Sequence, residues 1–445
     1  MSRTSLPGPK IKSSLIFALR RIHDPLRFFT KMALKYGDLV HLKAGAPDVF
    51  LLNDPAQIKR VLVTDHHNFT KGQGLQRAKR LLGNSLLTTE GELHRKQRRL
   101  VQPAFHHGRI AGYASTMVDY AGRMSGRWQH ASTLDMSEEM MRLTLAIVAK
   151  TLFDADVESE AAGVGRALTA TMKVFPRYVI PYAHLLEKLP LPSNRRYREA
   201  KDYLDATVYK LIEDRRRTGS DKGDLLSMLL LAQDEEEAGR TMTDTEVRDE
   251  AMTLFLAGHE TTSNALTWTW YLLANNPDAE KRLRAEVNSV LGPRCATIED
   301  VPRLTYTTKV FAESMRLFPP VWILGRRAIE DYTIDGHTIP RDSLILMSQW
   351  VMHRDRRYFP EPLSFDPNRW TDEAKDRRPK FSYFPFGGGP RVCIGESFAW
   401  TEGVLLLATI AQRWKLRLQP GYPVRPQALV TLRPRHGVKM IAERL

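Results

Sequence analysis

A single cysteine follows a glycine-rich stretch near the carboxyl end of the chain. Cys393 comes shortly after three consecutive glycines at 387–389 and just before an apolar run from 394 to 414. Glycines let the backbone turn in ways that side chains forbid. The apolar run predicts a helix whose free N–H groups and positive dipole end lie beside the thiol, a setting that favours the metal-ligating thiolate. One thiolate cannot hold zinc alone, but it can be the axial ligand of a haem iron.

A second candidate for chemistry lies in the middle of a long predicted helix. Thr243 and Glu246 form a capping-box pattern, and apolar residues continue to Ala274. That is about 32 residues, or roughly 48 Å of helix. Its centre reads Ala-Gly-His-Glu-Thr-Thr at 257–262. Glycine costs about 1 kcal/mol in a helix interior, and threonine can bond back to a carbonyl and bend the helix. A distorted turn with an acid beside an alcohol is suited to handling protons.

Two charged patterns occur on other predicted helices. His94 and Arg98 are four residues apart and share one helical face, within the basic run 94–99. That face is either an exposed basic surface or a site for the carboxylates of a cofactor. Glu313 and Arg316 can pair at i and i+3. On most proteins such a pair would be a surface salt bridge that contributes under about 1 kcal/mol, but apolar residues flank this one, which favours a buried pair.

Composition restricts the class of protein. The 445 residues are 42% hydrophobic and 26% charged, ordinary values for a chain with a large core. Only Cys295 and Cys393 are present, so a disulfide framework is not expected and a reducing compartment is. No run of about 20 apolar residues and no signal peptide occurs, so we expect a soluble cytoplasmic protein. The net charge of +15 could attract nucleic acid, anionic lipid or an acidic protein, but no nucleic-acid motif accompanies it.

The stretch around Cys393 has a recognisable spacing. Phe386, Gly389, Arg391, Cys393 and Gly395 stand as F-x-x-G-x-R-x-C-x-G, which resembles the haem-binding signature of the cytochromes P450. The alternative for this segment alone is a buried free cysteine beside a turn.

Three further motifs carry the same resemblance, in the expected order. Glu260 and Thr261 resemble the oxygen-activation motif of that family. The pair Glu313 and Arg316 resembles its Glu-x-x-Arg, and Arg369 in the segment 365–370 would be the third member of that triad. The basic helix with His94 and Arg98 resembles the bacterial members. The likeness runs from about residue 24 to the end of the chain.

The resemblance implies a role for each of these residues. Cys393 would ligate the haem iron, and Phe386 and Gly395 would contact the cofactor. Thr261 would steady dioxygen while Glu260 relays protons. The triad would be structural, a buried network behind the haem. Four cationic or hydrogen-bonding side chains would meet the propionates, with Arg326 preferred over its neighbour Arg327: His94, Arg98, Arg326 and Arg391.

The fold implied is mainly α with a smaller β part, as one domain over residues 1–445 with a short N-terminal extension at 1–23. The haem would lie between the long central helix and the helix after Cys393. Local patterns predict a helix at 24–36, a β-hairpin from 39–42 and 49–52, a loop at 70–90, a proline-punctuated helical stretch within 110–236, and strands at 336–345 and 429–432. The resemblance implies that the helical stretch forms a lid over the substrate channel.

The function implied is that of a haem-thiolate monooxygenase, which inserts one oxygen atom from O2 into a lipophilic substrate such as a fatty acid or a terpenoid. Haem b is the expected cofactor. Electrons from NAD(P)H would arrive through a ferredoxin or flavodoxin with its reductase, and a basic surface could dock such an acidic donor. We expect a monomer that binds no nucleic acid. Nine mostly apolar residues are candidates for the substrate pocket: Leu81, Leu82, Phe175, Val179, Phe255, Ala257, Val321, Ile323 and Leu429.

Two other functions are compatible with a haem-binding cysteine. One is a haem-thiolate enzyme that uses or rearranges peroxides without outside electrons, against which the intact Glu260 and Thr261 argue. The other is a non-enzymatic haem or gas-sensing protein, which would need no proton relay and would usually carry a signalling domain.

Overall fold

The computed structural model describes residues 6–9, 24–43, 47–155, 161–174, 189, 191–231, 233–234 and 240–445. Two of the predicted pocket residues, Phe175 and Val179, lie outside this part of the chain. The chain divides into two compact units. The first, which we call the cysteine unit, comprises Met1–Gln73, Ala312–Cys393 and Pro426–Leu432. The second, the long-helix unit, comprises Gly74–Phe311, Ile394–Arg425 and Arg433–Leu445.

Helices dominate the described residues. In chain order they are α1 (Pro25–Tyr36), α2 (Pro55–Lys59), α3 (Gln73–Arg77), α4 (Lys79–Leu82), α5 (Gly91–Val101), α6 (His107–Gly126), α7 (Met136–Phe153), α8 (Ala161–Val174), α9 (Pro192–Thr218), α10 (Leu225–Leu231), α11 (Asp244–Asn275), α12 (Pro277–Leu291), α13 (Thr305–Leu317), α14 (Gln349–Met352), α15 (Asp372–Arg377) and α16 (Glu396–Ala411). None of them is long and apolar enough to cross a membrane.

Strands are short and fewer. They are β1 (Leu39–Leu42), β2 (Val49–Leu52), β3 (Phe69–Lys71), β4 (Thr133–Asp135), β5 (Gln233–Asp234), β6 (Arg240–Thr241), β7 (Leu324–Ala328), β8 (Tyr332–Ile334), β9 (His337–Ile339), β10 (Leu344–Met347), β11 (Trp414–Leu418), β12 (Pro426–Ala428), β13 (Leu432–Pro434) and β14 (Lys439–Arg444).

The cysteine unit is built around a five-stranded sheet in the order β1-β2-β10-β7-β3. The predicted hairpin is present, with Leu39 opposite Leu52 in an antiparallel pair. β10 runs parallel to β2 and antiparallel to β7, and Ile345 lies opposite Arg326. Because β2 is buried along its whole length, its side chains contribute to the core on both faces of the sheet.

The long-helix unit surrounds α11, which packs on α7, α9 and α16. Its N-terminus has the predicted capping box, in which Thr243 accepts from the Glu246 N–H and the Glu246 carboxylate accepts from the Thr243 N–H. A three-stranded antiparallel sheet, β11-β14-β4, also lies in this unit.

Acidic side chains on α11 also hold the segment that follows α4. Glu250, which is fully buried, accepts two hydrogen bonds from the Leu86 N–H, at 2.9 and 3.1 Å. Asp249 accepts from the Asn84 N–H at 2.7 Å. These bonds leave the buried carboxylates partnered and fix the chain between α4 and α5.

Most local predictions agree with the structure, and three need correction. The stretch 70–90, predicted as a loop, contains α3 and α4. Burial of Leu81 and Leu82 stabilises the helical turn of α4. The helix after Cys393 ends at Ala411 rather than reaching Trp414, which begins β11. Leu429 lies in the turn between β12 and β13 instead of in a strand, and its N–H donates to the Thr431 carbonyl at 3.1 Å.

Candidate functional site

The loop that carries Cys393 closes on itself. The Cys393 N–H donates to the Phe386 carbonyl at 3.0 Å, and the Gly387 N–H donates to the Phe384 carbonyl at 3.0 Å. Gly387 and Gly389 have φ angles of +76° and +70°, which side chains rarely adopt. A side chain at Gly389 would also lie 1.9 Å from the Leu62 carbonyl oxygen. These constraints set the loop's shape, and they leave Cys393 exposed.

Two arginines of the cysteine unit are predicted propionate ligands: Arg391 lies in the cysteine loop and Arg326 lies on β7 of the five-stranded sheet. Arg391 donates to the main-chain carbonyls of Phe69 at 3.0 Å and His66 at 3.3 Å, so it tethers the loop to the chain around β3. Arg326 on β7 is 5% exposed. Its neighbour Arg327 points to the other face and pairs with Asp342 at 2.5 Å. The two arginines thus have different surroundings, and the preference for Arg326 stays a prediction.

Glu313, Arg316 and Arg369 form one buried cluster. Arg316 donates to both oxygens of Glu313, at 2.8 Å each, in a bidentate pair whose two side chains are 0% exposed. Arg369 donates to Glu313 at 2.9 Å and is 11% exposed. Charge-assisted and bidentate bonds are among the stronger hydrogen bonds in proteins. Two cations thus share one carboxylate inside the cysteine unit.

The cluster also fixes the chain that precedes Cys393. Arg316 donates to the carbonyls of His353 at 2.8 Å and Pro362 at 2.7 Å, while the Trp370 indole N–H donates to Glu313 at 2.9 Å. His353 and Trp370 were not predicted. Trp370 follows Arg369 directly, and that adjacency was the one available signal. His353 offered none, because its partners are distant in sequence.

In the long-helix unit, α11 is buried on almost every side. Every residue from Val247 to Trp270 is buried except Ala257, Gly258 and Thr261. Positions i, i+1 and i+4 share one face of a helix. The three residues therefore form a single accessible strip halfway along the helix, which we call the open strip. Of the two predicted oxygen-activation residues, Thr261 lies in this strip, whereas Glu260 precedes Thr261 in the sequence and is buried.

The turn at the open strip remains a regular helix. The Thr261 hydroxyl donates to the Ala257 carbonyl at 2.7 Å, as predicted, but α11 continues without interruption from Asp244 to Asn275. Glycine is needed at 258 for a different reason from the predicted distortion of the helix. A Cβ there would lie 2.9 Å from a methyl group of Val148 on α7, so glycine permits close packing of the two helices.

The acid and the histidine of the turn point into the unit. Glu260 is 4% exposed and lies next to Thr261. His259 is 2% exposed, its Nδ1 lies 2.6 Å from the Phe255 carbonyl, and burial lowers its pKa from 6.5 to about 4. The His259 carbonyl accepts from Thr144 on α7 at 2.9 Å. His259 is therefore a neutral, buried structural residue.

The basic helix is present as α5. His94 is 6% exposed, whereas Arg98 is half-buried one turn later on the same face. Between them, the Gln97 amide donates to the Asn84 carbonyl at 2.6 Å and its oxygen accepts from Thr89 at 2.5 Å. These bonds anchor α5 to the preceding loop. The alternative of a wholly exposed basic helix is wrong for this face.

Comparison with known proteins decides the family. The family model for cytochrome P450 matches residues 7–440. The chain belongs to the cytochrome P450 family. It is 44% identical to cyclooctatin synthase of Streptomyces melanosporofaciens over 93% of this chain and 90% of that protein. It is 39% identical to cyclooctat-9-en-7-ol 5-monooxygenase of the same organism, over 89% and 86% of the two chains. The crystal structure of the cytochrome P450DA heme domain superposes with a TM-score of 0.89 at 25% identity, covering 99% of this chain and 98% of that one.

These matches confirm the predicted mainly α fold with a smaller β part, and they make the protein a monooxygenase of the oxidoreductase class that uses haem and O2. The residues present fit a haem. The cysteine unit offers an exposed thiol on a rigid loop. In the long-helix unit, Gly395 has a φ of −92°, and a side chain there would meet only Phe105, at an ordinary 3.6 Å. Neither backbone nor packing requires glycine at 395, which fits a position where a bound group approaches the main chain.

The candidate pocket residues of this cytochrome P450 fall into different settings. Ala257 lies in the open strip. Phe255 is on the opposite face of α11, 5% exposed and stacked on Phe153 with ring centroids 4.2 Å apart. Its ring packs in the core between α7 and α11, and its assignment to the pocket stays a prediction. Leu81 and Leu82 are 1% exposed within the long-helix unit.

In the cysteine unit, Val321, Ile323 and Leu429 are half-buried. The Leu429 carbonyl accepts from the Trp322 indole N–H at 2.9 Å, which joins the turn after β12 to the chain that leads into β7. These three residues remain predictions for the pocket.

Proposed function

We propose that this cytochrome P450 inserts one oxygen atom from O2 into a carbocyclic terpenoid, with electrons from NAD(P)H delivered by a ferredoxin or flavodoxin and its reductase. The observation that carries the chemistry is the open strip. An alcohol, Thr261, is accessible within the mostly buried stretch 247–270 of α11, and an acid, Glu260, precedes it directly. Dioxygen reduction to one product oxygen and one water consumes two electrons and two protons, and an enzyme that performs it needs proton-handling groups at a site that substrate can reach.

Each predicted haem contact has a role in this proposal. Cys393 would be the thiolate ligand of the iron. Phe386 and Gly395, which precede and follow Cys393 in the sequence, would contact the cofactor. Arg391, Arg326, Arg98 and His94 bind the propionates of haem b, for which guanidinium groups are well shaped. When bound, the haem supplies the iron at which O2 is activated.

The protein's own residues then manage protons and exclude water. The Thr261 hydroxyl keeps its proton through donation to the Ala257 carbonyl at 2.7 Å, and it can turn that donor toward a ligand beside the helix. Glu260 carries protons to it from solvent. The buried residues on both sides of the open strip exclude other water, so protons arrive by this route.

The substrate class is supported by the relatives' names and by residue chemistry. One relative is named as a monooxygenase of cyclooctat-9-en-7-ol, a cyclic alcohol. Ala257, Val321, Ile323 and Leu429 offer apolar contacts, which suit a hydrocarbon skeleton. We therefore narrow the predicted substrates from lipophilic compounds in general to terpenoids, and fatty acids become the second choice. We further propose a cytoplasmic monomer in which both units make one domain.

The proposal is tested by reconstitution with a ferredoxin, its reductase, NADPH and isotopically labelled O2, with cyclic terpene alcohols and fatty acids as substrates. We expect a terpenoid product with one labelled oxygen. Thr261→Ala should consume NADPH but release peroxide or water instead of product. The matched control is Thr267→Ala, because Thr267 makes the same 2.7 Å bond to the carbonyl four residues earlier but is buried away from the open strip.

Equal coupling of NADPH consumption to product in the two variants would refute the role of Thr261. Product formation from peroxide alone, with none from the reductase system, would point to the peroxide-using class. Oxidation of fatty acids but not of terpenoids would overturn the substrate class and leave the reaction type standing.

A further inference from the structure

His353 is a buried histidine of the cysteine unit, and it belongs to none of the four sequence motifs described above. It follows α14 directly and is 0% exposed. Its carbonyl accepts from Arg316 at 2.8 Å, and its ring nitrogen Nε2 accepts from the Phe384 N–H at 3.0 Å. One residue thus contacts the Glu313–Arg316–Arg369 cluster through its main chain and the start of the cysteine loop through its side chain.

These contacts fix the state of the imidazole. Since Nε2 accepts a hydrogen bond, the single proton of a neutral ring is on Nδ1. Burial holds the pKa of His353 well below its ordinary 6.5, and the charges of Arg316 and Arg354 lower it further. The carbonyls of Met315 and Arg316 oppose that shift, but neither completes a well-aligned bond with Nδ1. The ring is therefore neutral and its Nε2 is a permanent acceptor.

Aromatic packing holds the ring in this orientation. The imidazole lies 4.9 Å from the Tyr383 ring and 5.5 Å from the Phe384 ring, the latter edge-on. The Tyr383 hydroxyl in turn donates to the Ala312 carbonyl on α13 at 3.0 Å. Rotation of the imidazole away from Phe384 would disturb both aromatic neighbours.

From Phe384 the hydrogen bonds lead to the cysteine. The Phe384 carbonyl accepts from Gly387, and the Phe386 carbonyl accepts from the Cys393 N–H, each at 3.0 Å. Phe384 is therefore the fixed end of a loop whose other end presents the thiol. If the Phe384 N–H lost its acceptor, it would be a buried donor without a partner. That cost would destabilise the closed loop relative to an open form in which water solvates the N–H.

We propose that His353 is a positioning residue that ties the Glu313–Arg316–Arg369 cluster to the cysteine loop and so keeps Cys393 in place as a thiolate ligand. The inference rests on the proposed haem-thiolate function. It gives the charged cluster a path to the ligand loop through one imidazole, since the His353 carbonyl accepts from Arg316 and its Nε2 accepts from the Phe384 N–H.

The test compares His353→Phe with His353→Gln in the haem-loaded protein. Phenylalanine keeps a ring but offers no acceptor, whereas the glutamine amide oxygen can stand near the position of Nε2 and accept from Phe384. His259→Phe is the matched control, because His259 is also fully buried and neutral but lies in the long-helix unit, where its ring contacts the Phe255 carbonyl. Haem content, the reduced carbon monoxide spectrum and the reduction potential are measured for each, in rising urea.

We expect His353→Phe to bind haem but to lose the red-shifted thiolate Soret band more readily. The open form should rise by about 5- to 150-fold, the factor that corresponds to one buried N–H left without an acceptor. His353→Gln should retain most of the wild-type thiolate band, and His259→Phe should unfold more easily without separate loss of the band. The reduction potential should shift in the phenylalanine variant and return in the glutamine variant.

Two results would overturn the inference. One is an unchanged thiolate band and unchanged urea dependence in His353→Phe. The other is loss of the thiolate band in His353→Gln that is as complete as in His353→Phe. If the phenylalanine variant binds no haem, the glutamine variant alone decides, and loss of its thiolate band would overturn the inference. Failure of the proposed function is distinguishable, because the wild-type protein itself would then show no thiolate band.

Discussion

Replacement of Glu313 by glutamine removes the one negative charge that two buried arginines share. Glu313 accepts from Arg316 twice, from Arg369, from the Trp370 indole and from the Asp366 N–H, at distances of 2.8 to 3.0 Å. A glutamine of the same shape has one oxygen to accept these bonds and an amide group that faces other donors. Arg316, at 0% exposed, would become an uncompensated buried charge.

The cost can be placed from the burial of the cluster. Loss of one partner from a buried ion pair destabilises a protein by about 3–5 kcal/mol. Since a folded domain is stable by about 5–15 kcal/mol, Glu313→Gln should remove about a fifth or more of the total. Arg369→Ala should cost less than Glu313→Gln, because Glu313 and Arg316 would still neutralise each other, but it too should lower the yield of haem-loaded protein.

The assay is urea unfolding followed by Soret absorbance and by tryptophan fluorescence, together with the ratio of haem to protein. The control is Glu92→Gln, because Glu92 also pairs with the arginine three residues later on its own helix, Arg95, but both side chains are exposed, at 68% and 72%. The control should cost under about 1 kcal/mol. A Glu313→Gln protein with full haem content and an unfolding free energy within that margin of wild type would refute the reasoning.

Three other changes test separate parts of the structure. Gly258→Ala places a methyl group 2.9 Å from Val148 and should destabilise by about 1–3 kcal/mol through overpacking; addition of Val148→Ala should recover part of that loss in a double-mutant cycle of unfolding free energies, and strict additivity would contradict the contact. Gly122→Ala is its control, because nothing lies within 4 Å of a Cβ there, and it should gain about 0.5–1 kcal/mol. Glu402, which is 0% exposed, has its pKa raised from 4.5 to about 8 by burial, against the opposing effect of the Thr262 hydroxyl. Because the folded protein holds this proton more tightly than the unfolded chain does, the free energy of unfolding is highest below pH 4.5 and falls by up to about 5 kcal/mol as pH rises toward 8. The free energy of unfolding of Glu402→Gln, relative to that of wild type, should therefore increase across that pH range and then become constant. Parallel pH curves for the two proteins would show that Glu402 ionises normally. Cys393→Ser should abolish the thiolate spectrum while the Cys295→Ser control keeps it, and retention of the band in Cys393→Ser would remove the ligand assignment.

Local sequence patterns predicted the elements that depend on neighbours in the chain. The capping box of Thr243 and Glu246 is a contact across three residues, and it starts α11 where expected. Fixed spacing around Cys393 likewise located the loop, in which Gly387 and Gly389 are required by their own positive φ angles. The Glu313 and Arg316 pair is an i, i+3 contact on one helix. These features needed no knowledge of the tertiary structure.

Features that arise from packing between distant segments were missed or misread. Gly258 suggested a distorted turn, but its reason is Val148, more than a hundred residues earlier. The stacking of Phe255 on Phe153 of α7 was not predicted, because the two rings come from distant segments. His353 accepts from a main-chain N–H 31 residues away, and no side-chain pattern reports such a bond. The sequence identifies which residues can do chemistry, and the packing decides which of them face the site.

The most direct test of the account is the carbon monoxide difference spectrum of the dithionite-reduced wild-type protein, because every proposed role depends on thiolate-ligated haem. The account predicts a strongly red-shifted Soret band that is lost in Cys393→Ser. A Soret band typical of histidine-ligated haem, or the absence of any haem signal from protein expressed with ample haem, would contradict it.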